Sequence, residues 1–519
     1  MKTFKKLFSM ILAIAMIACL FAGCIPQIDE SSTAPTRDFK PPVDPTGNSG
    51  GGSSLKIEDI KGITDDTIWV GNTAGTTGAL AAIGGPFNDG IQAAFAQYNA
   101  KGGFHGLQVK LKHYDDGGVG ANSATLMEKL IHEDEVFAIV GNFAATCVAA
   151  NLDIIKEAKV PMVYAAAGND ILLNENATEQ GDRGVFPVQP LNKTEGRSLI
   201  LRAFAPALSG GLGATKVGVI ANSNEASQAM LAGIQAEAAN LSAAQKDSIV
   251  YQTVATDDPS AAINALKDAG CDVVIVTVIG TDFTTAIAKM VDAGCTWKVL
   301  TSYNNSSAAV FNNTPVDFNG TTVNMMDATF TTALTTMQIY SQGWINISDV
   351  NAVYAPDLAY KYKGEMVAFY QALGSAVADD PATEEVDPYM IGFTEDYWKV
   401  AEALYAYAIS QGKDAATAFA LSYDAYALAG YIAGDLFCQA LAELQAKGGN
   451  LTRADFVNIM ESKEYKIAMA DAISFANGMR VGVEAFSLTM FYASNGMAAS
   501  ASVTNGVSSI EDLRAAFNG

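Results

Sequence analysis

Histidine and cysteine, on which much metal and nucleophile chemistry depends, are scarce: the 519-residue chain has three histidines and six cysteines. His105, His113 and His132 have no spacing typical of a metal or nucleophile motif, and no two cysteines form a Cys-x-x-Cys pair. The chain also lacks a Gly-x-Ser-x-Gly elbow. These absences argue against an enzyme, and the sequence predicts no cofactor and no metal.

Phosphate-binding loops are missing as well. No lysine follows Gly75-Thr76-Thr77-Gly78, and Gly210-Gly211-Leu212-Gly213 precedes a predicted strand instead of following one. The chain also has few positive charges: it contains 32 lysines and arginines and 55 aspartates and glutamates, which gives a net charge of -23. Such a chain repels phosphate backbones, which argues against nucleic acid as a partner.

The first residues have the pattern of an export signal. Three lysines within the first six residues precede an apolar run from Leu7 to Ala22, which is short for a bilayer span. The run ends in Phe21-Ala22-Gly23-Cys24, which resembles a bacterial lipobox. We therefore predict a lipoprotein signal peptide over 1–23, lipidation of Cys24, and a location on the outer face of the cytoplasmic membrane. The alternative is an ordinary signal peptide or an N-terminal membrane anchor.

Two further segments each leave alternatives open. Residues 24–66 are rich in Pro, Gly, Ser and Asp, which predicts a flexible linker. The apolar region 415–444 is long enough for a membrane span, but its acidic residues favour a buried helix. Cys271 and Cys295 each follow Ala-Gly ahead of a predicted strand, so they form either a disulfide or two buried thiols.

From residue 67 onward, β-branched runs alternate with amphipathic segments. This alternation predicts an α/β fold with two Rossmann-like lobes, parallel sheets and a break near Pro187 and Pro190. The predicted strands are 68–72, 109–114, 136–140, 160–165, 217–221, 248–254, 272–278, 297–301 and 483–492. The predicted helices include 86–100, with Pro86 in its first turn, 226–239, 259–270, 281–293 and a long helix over 421–447.

Ligands of open α/β sheets bind outside the carboxyl ends of the strands. This rule selects six loops, at 71–85, 141–147, 165–170, 221–228, 277–282 and 301–306. They are rich in Thr, Asn, Gly and Ser, which suits hydrogen bonding to a small polar ligand. The same residues are also ordinary loop formers, so the composition alone does not distinguish a site from a turn.

These loops carry a resemblance to the leucine/isoleucine/valine-binding family of periplasmic binding proteins. The most specific similarity is the run Asn99-Ala100-Lys101-Gly102-Gly103-Phe104-His105-Gly106, followed by Tyr114-Asp115-Asp116. Shorter similarities are Thr77-Gly78 with Ala81, Gly84, Gly90 and Ala94, then Ile139-Val140-Gly141, Val160-Pro161-Met162 and Tyr423-Asp424-Ala425.

The resemblance implies two lobes joined by three crossovers, near 186–191, 337–345 and 477–483. The first lobe would be 67–188 plus 346–476, and the second 189–336 plus 484–519. The stretch 303–416 is longer than the family usually has. The resemblance also implies a monomer that binds a small solute as its lobes close, and then docks on an ABC permease with ATPase subunits.

The resemblance implies ligand contacts from both lobes. On the first, Ala145 and Gly168 occupy positions where amino-acid binders usually have hydroxyls, Thr146 and Asn169 stand beside them, and Ile83 replaces an aromatic. On the second, Tyr303 or Asn304 occupies the position of the usual acid, and Glu225 or Asp282 could substitute for it. The predicted ligand-binding residues are Thr77, Ile83, Phe143, Ala145, Thr146, Ala166, Gly168, Asn169, Asn222, Glu225, Asp282, Tyr303, Asn304 and Phe419.

An amino acid is the leading ligand, with an amide, a peptide fragment or another small polar solute as alternatives. Two rival functions come from other classes. The same fold serves as the ectodomain of signalling receptors, and a gene beside a kinase instead of a permease would favour a sensor. An exported enzyme is the second rival, and turnover of a bound solute would establish it.

Overall fold

The computed structural model describes residues 61–254, 258–305, 315–344, 395–468 and 470–517, with gaps at 319, 325–329, 331–333, 335, 423, 495–496 and 503–507. The predicted signal peptide, Cys24 and all but the end of the predicted linker lie outside the described residues, as does most of the long stretch 303–416.

The first part of the chain forms a parallel five-stranded sheet in the order β2-β1-β3-β4-β5. Its elements are β1 (Thr67–Ala74), α1 (Ala81–Ala100), β2 (Gln108–Asp115), α2 (Gly120–His132), β3 (Ala138–Phe143), α3 (Ala145–Glu157), β4 (Met162–Ala166), α4 (Gln180–Arg183) and β5 (Val185–Phe186). β3 is buried along its whole length and β1 almost so, which accounts for their apolar runs, whereas the edge strand β2 is mostly half-exposed.

The middle of the chain contributes α5 (Asn192–Phe204), β6 (Val217–Ala221), α6 (Glu225–Ala238), α7 (Ala243–Asp247), β7 (Ile249–Thr253), α8 (Ser260–Asp268), β8 (Val273–Val276), α9 (Thr281–Asp292), β9 (Lys298–Thr301), β10 (Pro315–Phe318), β11 (Thr321–Asn324) and β12 (Gln338–Gly343). β10 and β11 pair as a separate hairpin. The other strands form a second sheet together with β15 (Ala485–Ser494), β16 (Met497–Ser502) and β17 (Ser508–Ser509), in the order β16-β15-β12-β9-β8-β6-β7, with β17 paired to β15.

The rest of the described chain returns to the first sheet and ends on the second. Its elements are α10 (Glu395–Ser410), α11 (Ala415–Ser422), α12 (Ala425–Ala446), α13 (Arg453–Met460), β13 (Glu464–Tyr465), β14 (Ile473–Ser474), β15 (Ala485–Ser494), β16 (Met497–Ser502), β17 (Ser508–Ser509) and α14 (Ile510–Ala515). Short 3-10 turns lie at Gly78–Leu80, Asp170–Leu172, Ala207–Ser209, Tyr303–Asn305 and Ala476–Gly478.

We call the first sheet with α1–α4 and α10–α13 the first lobe, and the second sheet with α5–α9 and α14 the second lobe. The chain passes between them at 187–191, between β12 and α10, and again between β14 and β15. The predicted fold class, α/β with parallel strands and alternating helices, is confirmed. The second sheet departs from it at one edge, where β15 pairs antiparallel with β12 and β16.

The starts of two predicted helices need correction. Helix α1 begins at Ala81, so Pro86 lies inside it. The long helix predicted over 421–447 is present as α12 but begins only at Ala425, because Asp424 caps it through the N–H groups of Tyr426 and Ala427. The crossover expected near 337–345 overlaps β12, and the chain leaves the second sheet after Gly343. Of the two alternatives given for Cys271 and Cys295, the structure has the second, two free and buried thiols.

Helix α12 is the longest in the described part of the chain and lies in the core of the first lobe. By length and composition it could span a membrane, but 67% of its apolar window is buried in the protein. It packs on α1 through glycines, because a Cβ on Gly430 would lie 1.8 Å from the Phe87 carbonyl oxygen and one on Gly90 would lie 2.0 Å from that of Ala427. The apolar composition of α12 therefore serves core packing.

This close approach of two backbones makes Gly430 sensitive to substitution. Gly430→Val should lower the free energy of unfolding by about 2–3 kcal/mol, because α1 and α12 would have to separate. Urea unfolding followed by far-UV circular dichroism measures the change. Ala442→Val on the exposed side of the same helix is the control and should cost less than about 0.7 kcal/mol. Equal losses in the two variants would contradict this account of the helix contact.

Candidate functional site

The loops at the carboxyl ends of the two sheets meet, and we call the space that they border the interlobe cleft. Asn169, after β4 in the first lobe, donates from Nδ2 to Glu225 Oε1 in the second lobe at 3.4 Å. Gly168 lies beside Tyr303, since a Cβ on Gly168 would be 3.1 Å from the tyrosine hydroxyl. The structure thus brings predicted residues from both lobes into contact.

Helix α3 points its N-terminus at the cleft from the end of β3. The residue before it, Ala144, has a φ of +74°, which is strained for a residue with a side chain, and no side chain caps the helix. The first N–H groups of a helix have no partner within it, and they carry the positive end of the helix dipole. Ala145 and Thr146, the first two residues of α3, are exposed. This end of α3 is suited to a carboxylate.

Negative charge faces the cleft from the second lobe. Asp282, at the start of α9, accepts a hydrogen bond from Asn222 Nδ2 at 2.7 Å, and Glu225 opens α6 behind the cap Asn224. All three of Asp282, Glu225 and Asn224 are exposed. The second lobe therefore offers carboxylates where the first offers helix N–H groups.

The loop after β4 caps a helix of the second lobe. The Gly168 carbonyl accepts from Asn192 N at 2.9 Å, and Asp170 Oδ1 accepts from Lys193 N at 3.0 Å, so both bonds satisfy N–H groups at the start of α5. Burial, with a further contribution from Glu225, raises the pKa of Asp170. This loop fixes the two lobes to each other at the base of the cleft.

Tyr303 links the second lobe to the first crossover. Its hydroxyl donates to the Pro190 carbonyl at 3.1 Å and accepts from Gln189 Nε2 at 3.4 Å. Gln189 Oε1 in turn accepts from the Tyr164 hydroxyl at 3.3 Å. Burial and the nearby Glu195 raise the pKa of Tyr303 well above its usual value, so the phenol is neutral.

Other predicted site residues have different surroundings. Phe143 is only 6% exposed and packs on Phe87 at a ring distance of 5.1 Å, so its ring belongs to the core and not to the cleft surface. Ile83 and Ala166 are half-buried against the same core, and Thr77 is exposed after β1. Asn304 turns back, and its Nδ2 donates to Ser302 Oγ at 3.1 Å. Phe419 belongs to α11, but its side chain lies outside the described residues.

Sequence reasoning missed two polar residues of the first crossover region, Gln189 and Asn192. Asn192 is 6% exposed, and its Oδ1 has no hydrogen-bond partner among the described residues. That oxygen lies 2.8 Å from the position of a Cβ on Gly168. The sequence rule selects only loops that directly follow strands. Asn192 begins α5 after the connection that contains Pro187 and Pro190, so the rule does not reach it.

The chain has recognisable relatives among known proteins. Residues 67–326, half of the chain, match the family model described as periplasmic binding protein. An amino acid binding protein of Pseudomonas aeruginosa is 24% identical over 136 residues, which are 26% of this chain and 35% of that protein. A Leu/Ile/Val-binding protein homolog 2 of Brucella abortus is 32% identical over 102 residues, 20% of this chain and 27% of that protein. The chain thus matches about a third of the length of these relatives.

Solved structures resemble the fold over most of its length. A fatty acid ABC transporter substrate-binding protein from Thermomonospora curvata aligns with a TM-score of 0.54 and 16% sequence identity. The alignment covers 88% of this chain and 96% of that protein. At this identity the similarity concerns the fold, and the ligand has to be argued from the residues of the cleft.

Proposed function

Since the chain belongs to the type I periplasmic binding protein family, which includes the Leu/Ile/Val-binding proteins, we propose that it captures a small zwitterionic solute, an amino acid or a close relative, in its interlobe cleft. The family was predicted from the run Asn99 to Gly106, and the match of residues 67–326 bears that prediction out. The family is one of extracytoplasmic solute-binding proteins, and binding without catalysis is the function that we propose here.

The observation that carries the proposal is the Asn169–Glu225 hydrogen bond, which joins the carboxyl-end loops of the two sheets. A solute held between such loops contacts both lobes at once, and contacts in both lobes stabilise the closed state over an open one. Thr146 and the start of α3 are suited to the solute's carboxylate, and Glu225 and Asp282 are suited to its ammonium group. A fatty acid has no cationic group for these two carboxylates.

The cellular setting is a second part of the proposal. We infer that Cys24 carries a lipid that anchors the protein to the outer face of the cytoplasmic membrane, with 24–66 as a tether. The closed monomer would dock on an ABC permease that is driven by ATPase subunits. Metabolic labelling with a fatty acid tests the anchor, because label should enter the native protein and not a Cys24→Ala variant.

A solute panel tests the binding function. The protein is first unfolded and refolded to remove any solute that it carries, and its thermal unfolding is then followed with amino acids, amides, short peptides, fatty acids and sugars. A solute at about 100 times its Kd should add about 2.7 kcal/mol to the free energy of unfolding and raise the Tm by at least about a degree. We expect shifts with L-leucine or other neutral or polar α-amino acids. Shifts confined to sugars or fatty acids would contradict the zwitterion assignment, and no shift with any solute would contradict the function.

A further inference from the structure

The second lobe contains a buried carboxylate, Glu195, that contacts the turn carrying Tyr303. Glu195 belongs to the first turn of α5 and is 0% exposed. Its Oε1 accepts from the backbone N–H of Tyr303 at 2.7 Å, and its Oε2 accepts from Ser302 Oγ at 2.8 Å. The turn that carries Tyr303, whose hydroxyl lies beside Gly168 of the first lobe, is therefore held at two points by one side chain.

In both hydrogen bonds between Glu195 and the turn, the turn donates and the carboxylate accepts. Ser302 Oγ accepts from both Asn304 N and Asn304 Nδ2, each at 3.1 Å, and its one proton is donated to Glu195. A hydroxyl has one donor and two acceptor positions, so Ser302 is fully occupied. A proton on Oε2 would find no free lone pair on Ser302, and a proton on Oε1 would face the N–H of Tyr303. The contacts of the folded turn therefore match the ionised form of Glu195, which accepts both hydrogen bonds and carries no proton of its own.

We propose that Glu195 is a positioning residue for solute binding, whose negative charge holds the turn 302–304 in its binding conformation. This inference rests on the proposed function and adds a dependence on pH. When Glu195 takes up a proton, one of the two bonds to the turn is lost, and Tyr303 and Asn304 are no longer fixed. Solute affinity then falls, although Glu195 itself touches no solute.

The surroundings place the transition near neutral pH. Burial raises the pKa of Glu195 to about 7, against the lowering effect of its two hydrogen bonds. Its titratable neighbour is Tyr303, which stays neutral. On α5 itself, the backbone N–H of Lys193 donates to Asp170, and the Arg197 side chain forms an ion pair with Glu237 of α6 at 3.3 Å. From β12, Gln342 Nε2 donates to the backbone carbonyl of Glu195 at 3.4 Å and brings no charge.

Two measurements on the whole protein test the proposal, one with and one without solute. With 15N-tyrosine labelling, the Tyr303 amide resonance, assigned by its loss in Tyr303→Phe, should shift with a midpoint near pH 7 in the native protein. It should not shift in Glu195→Gln, which keeps the size of the side chain. The Kd for L-leucine should rise on the order of tenfold between pH 8.5 and pH 5.5, the size expected for one lost hydrogen bond, and should stay constant in Glu195→Gln.

The direction of the pH effect follows from the pKa of Glu195, which burial raises to about 7. Above this pH the carboxylate is ionised and holds the turn, whereas below it the carboxyl is protonated, so leucine binding weakens as the pH falls. Free leucine remains mainly a zwitterion between pH 5.5 and pH 8.5, so a change of affinity over this range that is lost in Glu195→Gln reports on Glu195. Ser302→Ala is a second variant, which removes the bond to Oε2 and should weaken leucine binding even at pH 8.5.

Each outcome bears on the proposal. If the Tyr303 amide resonance does not shift with pH, the proposal is overturned, whether or not any solute binds. Leucine affinity with the same pH dependence in the native protein and in Glu195→Gln overturns it as well. Absence of binding by every solute of the panel would instead overturn the proposed function and, with it, the role of Glu195 in binding.

Discussion

Replacing Arg480 with alanine should lower the free energy of unfolding by about 3–5 kcal/mol, because three backbone carbonyls would each lose a hydrogen-bond donor, at about 1–3 kcal/mol each. Arg480 lies in the third connection between the lobes and is 0% exposed. Its guanidinium donates to the carbonyls of Arg183, Phe475 and Met479 at 2.7–2.9 Å and to the Glu461 carboxylate. Its loss would remove this donor from all three carbonyls, whereas Glu461 would keep its hydrogen bonds from Arg183.

The same guanidinium also stacks on an aromatic ring, 4.7 Å from the centre of Phe186. Phe186 ends the first sheet just before the first connection, so Arg480 ties two of the connections together. Burial lowers the pKa of Arg480, an effect that its bond to Glu461 opposes. The Glu461 carboxylate therefore offsets part of the cost of burying this guanidinium.

Urea unfolding of Arg480→Ala and of a control measures this effect. Lys463→Ala removes another cation that contacts a glutamate, Glu443 at 2.9 Å, but its side chain is 41% exposed. An exposed pair contributes about 0–1 kcal/mol, so the control should stay close to the native protein. Losses of the same size in both variants would contradict the structural role given to Arg480.

The Thr146→Asp variant should bind L-leucine, or the panel solute that binds most tightly, at least about a hundredfold more weakly than the native protein. A second negative charge at the start of α3 would stand where the solute's carboxylate is expected and repel it. Thr146 is exposed, and an acid in the first turn favours a helix, so the free energy of unfolding should stay the same or rise slightly. Isothermal titration calorimetry gives the Kd, and urea unfolding gives the stability.

Two further variants separate charge from shape at this position. Thr146→Val keeps the size of the side chain and removes its hydroxyl, so it should weaken binding by about tenfold. Thr125→Asp places the same charge on an exposed position of α2, where Thr125 Oγ1 bonds only to the Ala121 carbonyl among the described contacts, and should leave the Kd unchanged. Native affinity in Thr146→Asp would show that α3 does not hold the solute's anionic group.

Much of the fold could be predicted because short-range patterns determine it. The strand at 217–221 was placed at its observed bounds, since a β-branched run buried on both faces has no competing periodicity. Patterns of this kind do not show what a helix packs against. The start of α12 at Ala425 and the start of α1 ahead of Pro86 depend on capping and on neighbours in space, and the sequence patterns predict neither.

The candidate site could be predicted only in part, for a related reason. Asn169 and Glu225 were selected because parallel strands bring their carboxyl ends to one edge, and the structure places these two in contact. Phe143 follows the same rule in sequence but turns into the core. Gln189, Asn192 and Glu195 reach the site through the crossover and through α5, contacts that exist only after the lobes have assembled.

Hydrogen–deuterium exchange, read by mass spectrometry with and without the panel solute of lowest Kd, tests the central claim most directly. If the solute binds in the interlobe cleft, exchange should slow in loops of both lobes together, at 143–147 and 166–170 in the first and at 222–228 and 279–282 in the second. Loops of the first lobe that lie away from the cleft, such as 101–107, should be unchanged. Protection confined to one lobe, or appearing only outside these loops, would contradict capture of the solute between the lobes.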